Sequence, residues 1–156
     1  SLSGDDGKLV SEALSRAGGE VMLRSFWDTE GGRQLKGWSL CTFAVQNSVF
    51  EEVLYIDADN YVLEDPTSLF DEALYIETGS IFWPDSYWLD PFSILWSIVD
   101  HHEPLLSAGS ETGQLLVNKA VHRVSLAVAS YFNTEGGMIY HKFATYGDND
   151  LWRMGW

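Results

Sequence analysis

The sequence predicts an α/β domain in which helices flank a partly parallel sheet. Apolar runs typical of buried strands alternate along the chain with segments whose apolar residues recur at helical spacing. With 46% hydrophobic and 14% aromatic residues, the 156-residue chain has enough apolar material for the core of one domain. We therefore expect this domain over residues 34–156, after a loop-rich segment over 1–33.

The first predicted elements lead up to one buried strand. Six glycines favour loops in residues 1–33, with one short helix around 9–17. A helix is predicted over 34–47, where apolar residues recur near helical spacing. The unbroken apolar run at 53–56 is typical of a strand that is buried on both faces. We expect this central strand to end at Asp57.

The remaining elements continue the alternation of helices and strands. Proline is tolerated in a first helical turn, so Asp65 and Pro66 are expected to open a helix, whereas Pro84 is expected to stop a strand. In chain order the predicted elements are a short helix over 65–70, a strand over 80–83, a helix over 91–99, a strand over 114–118 and a helix over 120–132.

The charge of the chain excludes several classes of partner. Nine Lys and Arg against 23 Asp and Glu give a net charge of -14, which repels nucleic acids and anionic membrane surfaces. No apolar run is long enough to cross a bilayer, so we expect membrane attachment only through a segment outside this sequence. Because the chain starts at Ser1 and a motif-like stretch at 147–152 runs into its end, we expect a fragment of a longer protein.

The acidic pair Asp57 and Asp59 follows the predicted central strand. Ligands of open α/β sheets bind beyond the carboxyl ends of the strands, which is where this pair lies. In extended backbone, carboxylates at i and i+2 point the same way and suit one hard divalent cation. Such a cation lets an acidic protein hold a diphosphate and stabilises that group as it departs.

Other interpretations of the pair are a turn, a calcium loop and a phosphatase site. A turn with Asp and Asn side chains capping backbone amides is the commonest explanation for such a sequence. A calcium-binding EF-hand loop does not fit, because Tyr61 and Val62 stand where a ligand and glycine are needed. A haloacid-dehalogenase-like phosphatase, with Asp57 as nucleophile, remains an enzymatic alternative.

Several blocks around the acidic pair resemble the fungal-type α-mannosyltransferase family. The resemblance spans about residues 36 to 156, with the blocks in the same order as in the family. They are KGW at 36–38, SVFEEVLYIDADN at 48–60, DP at 65–66, LF at 69–70, TGSIFWPD at 78–85, ETGQLLV at 111–117 with Lys119 and His122, and GDND at 147–150.

This resemblance implies a GT-A fold with a mixed, mostly parallel sheet, of which the chain is the central part. It also implies a GDP-mannose donor, Mn²⁺ or another divalent cation, a glycan acceptor and a Golgi membrane protein acting on the lumenal side. By the family's pattern, Asp57 and Asp59 bind the metal and the nucleotide, and Lys36 pairs with the diphosphate of the donor.

Two departures from the family's pattern affect these expectations. The chain has Glu111-Thr112-Gly113 where the family has Glu-Ser-Gly, which keeps the hydroxyl. It has Gly147-Asp148-Asn149-Asp150-Leu151 where the family has Gly-Asp-Lys-Asp-Thr, which loses a cation. Residues 1–33 show no recognisable strand and helix for the nucleoside base.

Three carboxylates are candidates for catalysis, namely Glu111, Asp148 and Asp150. Glycosyl transfer passes through an oxocarbenium-like state, so a carboxylate is needed near the anomeric carbon or the acceptor hydroxyl. Glu111 is expected just before a strand, either near the sugar or as an exposed loop residue. Asp148 alternatively caps the last helix.

Aromatic and imidazole side chains supply further candidates. Trp83 and Asp85 are assigned to the donor site, because an aromatic ring at a strand end can stack on a sugar face. A third metal ligand could come from an imidazole, although each is more often structural or solvated. The four histidines are His101, His102, His122 and His141.

The leading hypothesis is a metal-dependent enzyme that transfers mannose from GDP-mannose to a glycan or glycoprotein hydroxyl. The first alternative is a non-catalytic fragment that binds a sugar nucleotide or glycan. The second is the phosphatase described above.

Overall fold

The computed structural model describes residues 8, 10, 12, 15, 16, 22, 24, 25, 35, 37, 39–88, 90–98, 108–133 and 149–156. The chain divides into two compact units, Ser1–Leu35 and Lys36–Trp156. Among the described residues of the first unit, Lys8, Val10, Glu12, Ser15 and Arg16 are helical. The second unit contains the sheet.

A three-stranded antiparallel sheet forms the centre of the second unit. Its strands are β1, Glu52–Ile56, β2, Ser80–Trp88, and β3, Ala108–Asn118, arranged in the order β1-β3-β2. The central strand β3 pairs antiparallel with both neighbours, so that Val117 lies opposite Val53 on one side and Ser80 on the other.

The mixed α/β class is confirmed, but the prediction of a mostly parallel sheet is wrong for the described strands. β1 and β2 run in the same direction, yet β3 lies between them and runs the opposite way. An apolar run shows that a strand is buried and says nothing about its direction. The order of the strands could therefore not be derived from the pattern.

Short helices cover both faces of this sheet. They are α1, Ser39–Asn47, a 3-10 helix over Pro66–Asp71, α2, Ala73–Thr78, α3, Leu95–Ile98, α4, Arg123–Phe132, and α5, Asn149–Arg153. On one face, side chains of α1, α4 and α5 pack against β1 and β3, forming a core of Cys41, Val45, Val53, Leu115, Val117, Leu126, Ala129 and Trp152. On the other face Tyr75, Ile81 and Leu116 form a second core, with Trp83 packed against it.

Most predicted elements are present with shifted ends. Strand β1 and helices α1 and α4 lie within or close to their predicted ranges, and Asp65 caps the 3-10 helix by accepting a 3.0 Å hydrogen bond from Thr67 N. The prediction that β1 is the central strand is wrong for the described sheet, because β3 lies at its centre and β1 at an edge. The helix predicted over 91–99 is helical only over Leu95–Ile98 among its described residues. Helix α2 was not predicted.

Strand β2 continues through Pro84, where the sequence predicted its end. Proline lacks a backbone N–H, but it is tolerated at the edge of a sheet and beside irregularities in pairing. β2 is an edge strand among the described strands, and its register with β3 shifts on both sides of Pro84. Among the described residues, no helix is both long and apolar enough to cross a lipid bilayer.

Candidate functional site

The acidic pair lies in a turn that is fastened to the central strand. Asp57 N donates to Gly113 O at 2.8 Å and so extends the pairing of β1 with β3 by one bond. Asn60 N then donates to Asp57 O at 3.0 Å, which closes the turn. The side chain of Asn60 donates from Nδ2 to Gly113 O at 2.8 Å. One carbonyl of β3 therefore accepts two hydrogen bonds from this turn.

The turn changes the geometry expected for the two carboxylates. The metal-site hypothesis requires extended backbone through Asp59, whereas residues 58 and 59 form the turn that was the alternative interpretation of this sequence. That expectation is wrong, because the hydrogen bond between Asn60 and Asp57 bends the chain back. Asp57 is half-buried and Asp59 is exposed, so the pair occupies the rim of the sheet and is open to solvent on one side.

Tyr55 holds the carboxylate of Asp57 from the strand side. Its hydroxyl donates a short hydrogen bond to Asp57 Oδ1, and its ring packs against the core under α1. Burial, together with this hydrogen bond to Asp57, raises the pKa of Tyr55 well above the ordinary value of 10.0. The hydroxyl is thus a permanent donor that fixes the orientation of one carboxylate oxygen.

Glu111 lies beside the turn and belongs to the central strand. The prediction that placed it in a loop before a strand is wrong, because β3 begins at Ala108. Its Oε1 accepts a 2.6 Å hydrogen bond from Gly113 N. A Cβ added at Gly113 would lie 3.0 Å from both Asn60 Nδ2 and Glu111 Oε1. Glycine at this position therefore lets the acidic turn and Glu111 meet at one point.

The pairing of β2 with β3 is interrupted at this same point. Phe82 lies opposite Leu115 and Pro84 lies opposite Ser110, so the four residues 111–114 of β3 face the single residue Trp83 of β2. Bulges of this kind re-aim side chains and are common beside active sites. The interruption includes Gly113, which bonds to the turn, and Glu111, which bonds to Gly113 N.

Asp150, a predicted catalytic residue, is buried in a separate group of contacts. It is 2% exposed, its Oδ2 accepts from Tyr87 Oη at 2.7 Å, and its Oδ1 accepts from Ser110 N at 3.4 Å. Burial raises the pKa of this carboxyl, although both hydrogen bonds and the charge of Arg153 oppose the shift. The contacts join α5 to β2 and β3.

A cavity of about 450 Å³ opens where β2 and β3 separate. Trp83, the predicted stacking residue, is among its lining residues, which are Phe82, Trp83, Pro84, Ala108, Gly109, Ser110, Arg153 and Trp156. Arg153 Nη1 donates to Ala108 O at 2.8 Å, which places its guanidinium at the wall. Asp85 lies next along β2 and is partly exposed.

Two proposed site residues and three histidines lie outside the described part of the chain. These are Lys36, Asp148, His101, His102 and His141. The fourth histidine, His122, has Nε2 2.7 Å from Thr78 O and stacks near Trp156, which is a structural arrangement at the end of α2. Among the described residues no three His, Cys, Asp or Glu side chains gather as metal ligands.

Three contributors to the site were missed from the sequence, namely Asn60, Tyr55 and Ser110. Asn60 follows the acidic pair directly, and an Asn there is a signal for a side chain that bonds to nearby backbone. Tyr55 sits two residues before Asp57, on the same side of the strand, which places its hydroxyl within reach. No pattern signalled Ser110, because its contacts depend on the fold of β3 against α5.

Comparison with known proteins identifies related sequences. An alpha-1,2-mannosyltransferase of Candida albicans, MNN24, is 31% identical over 146 residues, which cover 73% of this chain and 21% of that protein. Another from the same organism, MNN23, is 25% identical over 156 residues, covering 74% and 26%. The alpha-1,2-mannosyltransferase MNN2 of Saccharomyces cerevisiae is 22% identical over 142 residues, covering 68% and 24%.

The chain thus spans between 21% and 26% of the length of these three relatives. No solved structure matches it. A model of the family described as "Mannosyltransferase putative" matches residues 20–104, more than half of the chain, including the acidic pair and Trp83. The match confirms the resemblance found in the sequence, and the chain belongs to this mannosyltransferase family.

Proposed function

We propose that this chain carries the metal and diphosphate end of the donor site of a mannosyltransferase. The enzyme would transfer mannose from GDP-mannose to a hydroxyl of a glycan or glycoprotein. Membership of the family supports the reaction class. The observation that carries the assignment of the site is the turn at Asp57, which two hydrogen bonds fasten to Gly113 O beside Glu111.

The residues of the turn fit a hard divalent cation such as Mn²⁺. Asp57 and Asp59 offer carboxylate oxygens, the ligand type that such ions prefer, and Asp59 is open to solvent. Sites for Mg²⁺-like ions often use only one or two carboxylates and complete the shell with substrate phosphates and water. Two carboxylates are therefore a sufficient protein contribution. A bound cation would neutralise charge that develops on the departing diphosphate.

The side chains around the turn prepare it for this role. The hydroxyl of Tyr55 orients Asp57, and the amide of Asn60 prevents the turn from moving away from β3. Glu111 is held by Gly113 N, so its carboxylate is positioned before any substrate arrives. We assign Glu111 to the transferred sugar, where a fixed negative charge stabilises an oxocarbenium-like state.

The other predicted residues receive different roles. We propose that Lys36 pairs with the donor diphosphate and that Asp148 acts near the acceptor hydroxyl, as the family's pattern implies. Asp150 is buried and bonded through both oxygens, so we assign it to holding α5 against β3. Asp85 stays assigned to the donor.

The setting of the enzyme is part of the same proposal. We place the catalytic domain in the GT-A class and the protein in the Golgi membrane, with the active site on the lumenal side. The support is the family resemblance alone. The chain's net charge of -14 agrees with a bridging cation, since the donor is itself an anion.

The family membership favours the transferase over a phosphatase that uses Asp57 as nucleophile. The turn offers a further argument, because one oxygen of Asp57 already accepts the hydroxyl of Tyr55. A non-catalytic binding fragment differs from the transferase only in turnover, so binding and transfer have to be measured separately.

The decisive experiment measures mannose transfer from GDP-mannose to an α-mannoside, with Mn²⁺ and with a chelator. We expect transfer only with the metal, and a loss of about 100-fold or more in kcat/KM for Asp57→Asn and Asp59→Asn. Asp71→Asn is the matched control, because this exposed carboxylate lies at the end of the 3-10 helix, away from the turn in sequence.

Each result has a defined meaning for the proposal. Donor binding without transfer would support the binding fragment. Metal-independent binding that Asp57→Asn leaves unchanged would contradict the assignment of the site. Hydrolysis of a simple phosphate ester that disappears in Asp57→Asn would establish the phosphatase instead.

A further inference from the structure

We propose that the cavity between β2 and β3 binds one pyranose ring of the acceptor glycan. This inference rests on the proposed function for the identity of the sugar, and on the structure for the place. The cavity measures about 450 Å³, which lies within the range of small-molecule sites. Nothing in the family match or the relatives' names assigns a ligand to it.

The lining of the cavity has the mixed character that a sugar ring requires. Phe82, Trp83 and Trp156 supply aromatic surface, against which the C–H face of a pyranose can pack. Arg153 and Ser110 supply polar groups on the same wall. A sugar carries apolar C–H faces and hydroxyls on its rim, so a site with both kinds of surface matches it.

Ser110 provides an independent sign that a polar ligand belongs here. The side chain is 5% exposed, and its Oγ has no hydrogen-bond partner among the described residues. Buried hydroxyls in native structures are nearly always hydrogen-bonded to protein, water or ligand. Ser110 Oγ is enclosed by protein atoms, so a bound sugar hydroxyl or a bridging water would supply the missing partner once the side chain rotates toward the cavity that Ser110 lines.

The charges around the cavity favour a neutral ligand over a phosphate. Arg153 is the cation among the lining residues, and its charge acts on the buried carboxyl of Asp150, which accepts from Ser110 N directly behind the wall. This neighbouring carboxyl reduces the attraction of the wall for an anionic diphosphate and has little effect on an uncharged sugar.

The position of the cavity suits an acceptor that receives a sugar from the neighbouring turn. Ser110 lines the cavity, and Gly113, three residues along β3, contacts the turn that bears Asp57. A strand rises about 3.3 Å per residue, so the two points on β3 are roughly 10 Å apart. That separation leaves room for the transferred sugar next to the acceptor ring, with Glu111 between them in sequence.

This geometry reassigns Trp83 from the donor to the acceptor. Trp83 was expected in the donor site as an aromatic residue at the end of a strand, but it lies inside β2 and packs on the core around Leu116. It lines the cavity together with Arg153 and Ser110. Donor and acceptor would thus meet across the interrupted part of the sheet.

The test is a titration of the protein with methyl α-mannoside in the absence of donor, followed by NMR chemical shifts. We expect Trp83→Ala to weaken binding about tenfold, because it removes the larger of the two aromatic side chains of β2 that line the cavity, Phe82 and Trp83. Ser110→Ala should weaken it less, and Trp83→Phe should keep part of the affinity. Trp88→Ala is the matched control, since this tryptophan of the same strand is 69% exposed and does not line the cavity.

Competition and transfer kinetics separate this inference from the proposed function. GDP should not displace the mannoside, and in transfer assays Trp83→Phe should raise the acceptor KM more than the donor KM. Displacement of the mannoside by GDP would overturn the inference. Equal mannoside affinity in the wild type, Trp83→Ala and Ser110→Ala would also overturn it, and in either case transfer activity would be retained and the proposed function would stand. Mannoside binding that depends on Trp83 in a protein without transfer activity would refute the enzyme and keep the site.

Discussion

Replacing Tyr87 by phenylalanine should destabilise the fold more than replacing Tyr75, although each tyrosine donates one hydrogen bond to a carboxylate. Tyr87 Oη lies 2.7 Å from Asp150 Oδ2, and Tyr75 Oη lies 2.8 Å from Glu52 Oε1. The two bonds match in chemistry and length. They differ in their acceptors, because Asp150 is 2% exposed whereas Glu52 is exposed.

The difference in burial sets the size of each effect. Without the hydroxyl of Tyr87, one oxygen of a buried carboxylate loses a donor that water cannot readily replace, which costs about 1.5–3 kcal/mol. Without the hydroxyl of Tyr75, water can bind the exposed Glu52, so we expect a loss below about 1 kcal/mol. Phenylalanine retains the ring packing in both cases, including the contact of the Tyr87 ring over Gly109.

Urea unfolding followed by circular dichroism measures both variants under the same conditions. A double-mutant cycle with Asp150→Asn should show a coupling energy of about 1–2 kcal/mol for the Tyr87 pair, since contacting residues rarely behave additively. Equal destabilisation by Tyr87→Phe and Tyr75→Phe would refute the reasoning. A coupling energy near zero would also refute it, because the contribution of Asp150 to stability would then not depend on the hydroxyl of Tyr87.

Three further predictions follow from the contacts around the sheet. Gly109→Ala should destabilise the fold by about 1–3 kcal/mol in urea unfolding, because the new Cβ would lie 2.2 Å from the ring of Tyr87. Burial raises the pKa of Asp150 above 3.8, so the folded state binds its proton more tightly and this residue's contribution to stability should fall as pH rises from about 4. Unfolding curves between pH 4 and pH 7 should show this decline relative to Asp150→Asn, and parallel curves would contradict it. Asn60→Ala should lower stability by only about 1 kcal/mol, because Gly113 O keeps its bond from the backbone of the turn, yet reduce kcat/KM for mannose transfer by about tenfold or more as the turn loosens.

The elements that the sequence predicted are those whose apolar residues follow a regular spacing. Residues 53–56 of β1 are a continuous apolar run between the two cores, and α4 buries one stripe that includes Leu126 and Ala129. Both patterns are dictated by local spacing. The first half of β3 was missed, because Gly109, Ser110, Glu111 and Gly113 carry little of the apolar pattern that marks a strand.

The candidate site was likewise predicted only in part. Asp57 and Asp59 were predicted from a strand that ends in carboxylates, and the family resemblance brought Glu111 to the same site. A turn was one of the interpretations weighed for this pair, but its attachment to β3 was not foreseen, because the side chain of Asn60 bonds to Gly113 O, which follows more than fifty residues later. Burial of Asp150 was likewise invisible, since nothing local distinguishes it from an exposed carboxylate beside a glycine-rich motif.

The interruption in the sheet explains how the single strand β3 can contribute to two sites. If β3 paired regularly with β2 along its whole length, residues 111–114 would be fixed on both sides and no cavity would open beside Ser110. Four residues of β3 lie opposite one residue of β2. Gly113 therefore stays bonded to the turn at Asp57, and the pairing of β3 with β2 resumes at Ser110, opposite Pro84. The antiparallel order is essential to this arrangement, since it alone places the end of β1 beside the middle of β3. The antiparallel direction of β3, which differs from the mostly parallel sheet that was predicted, therefore brings the acidic turn and the cavity together.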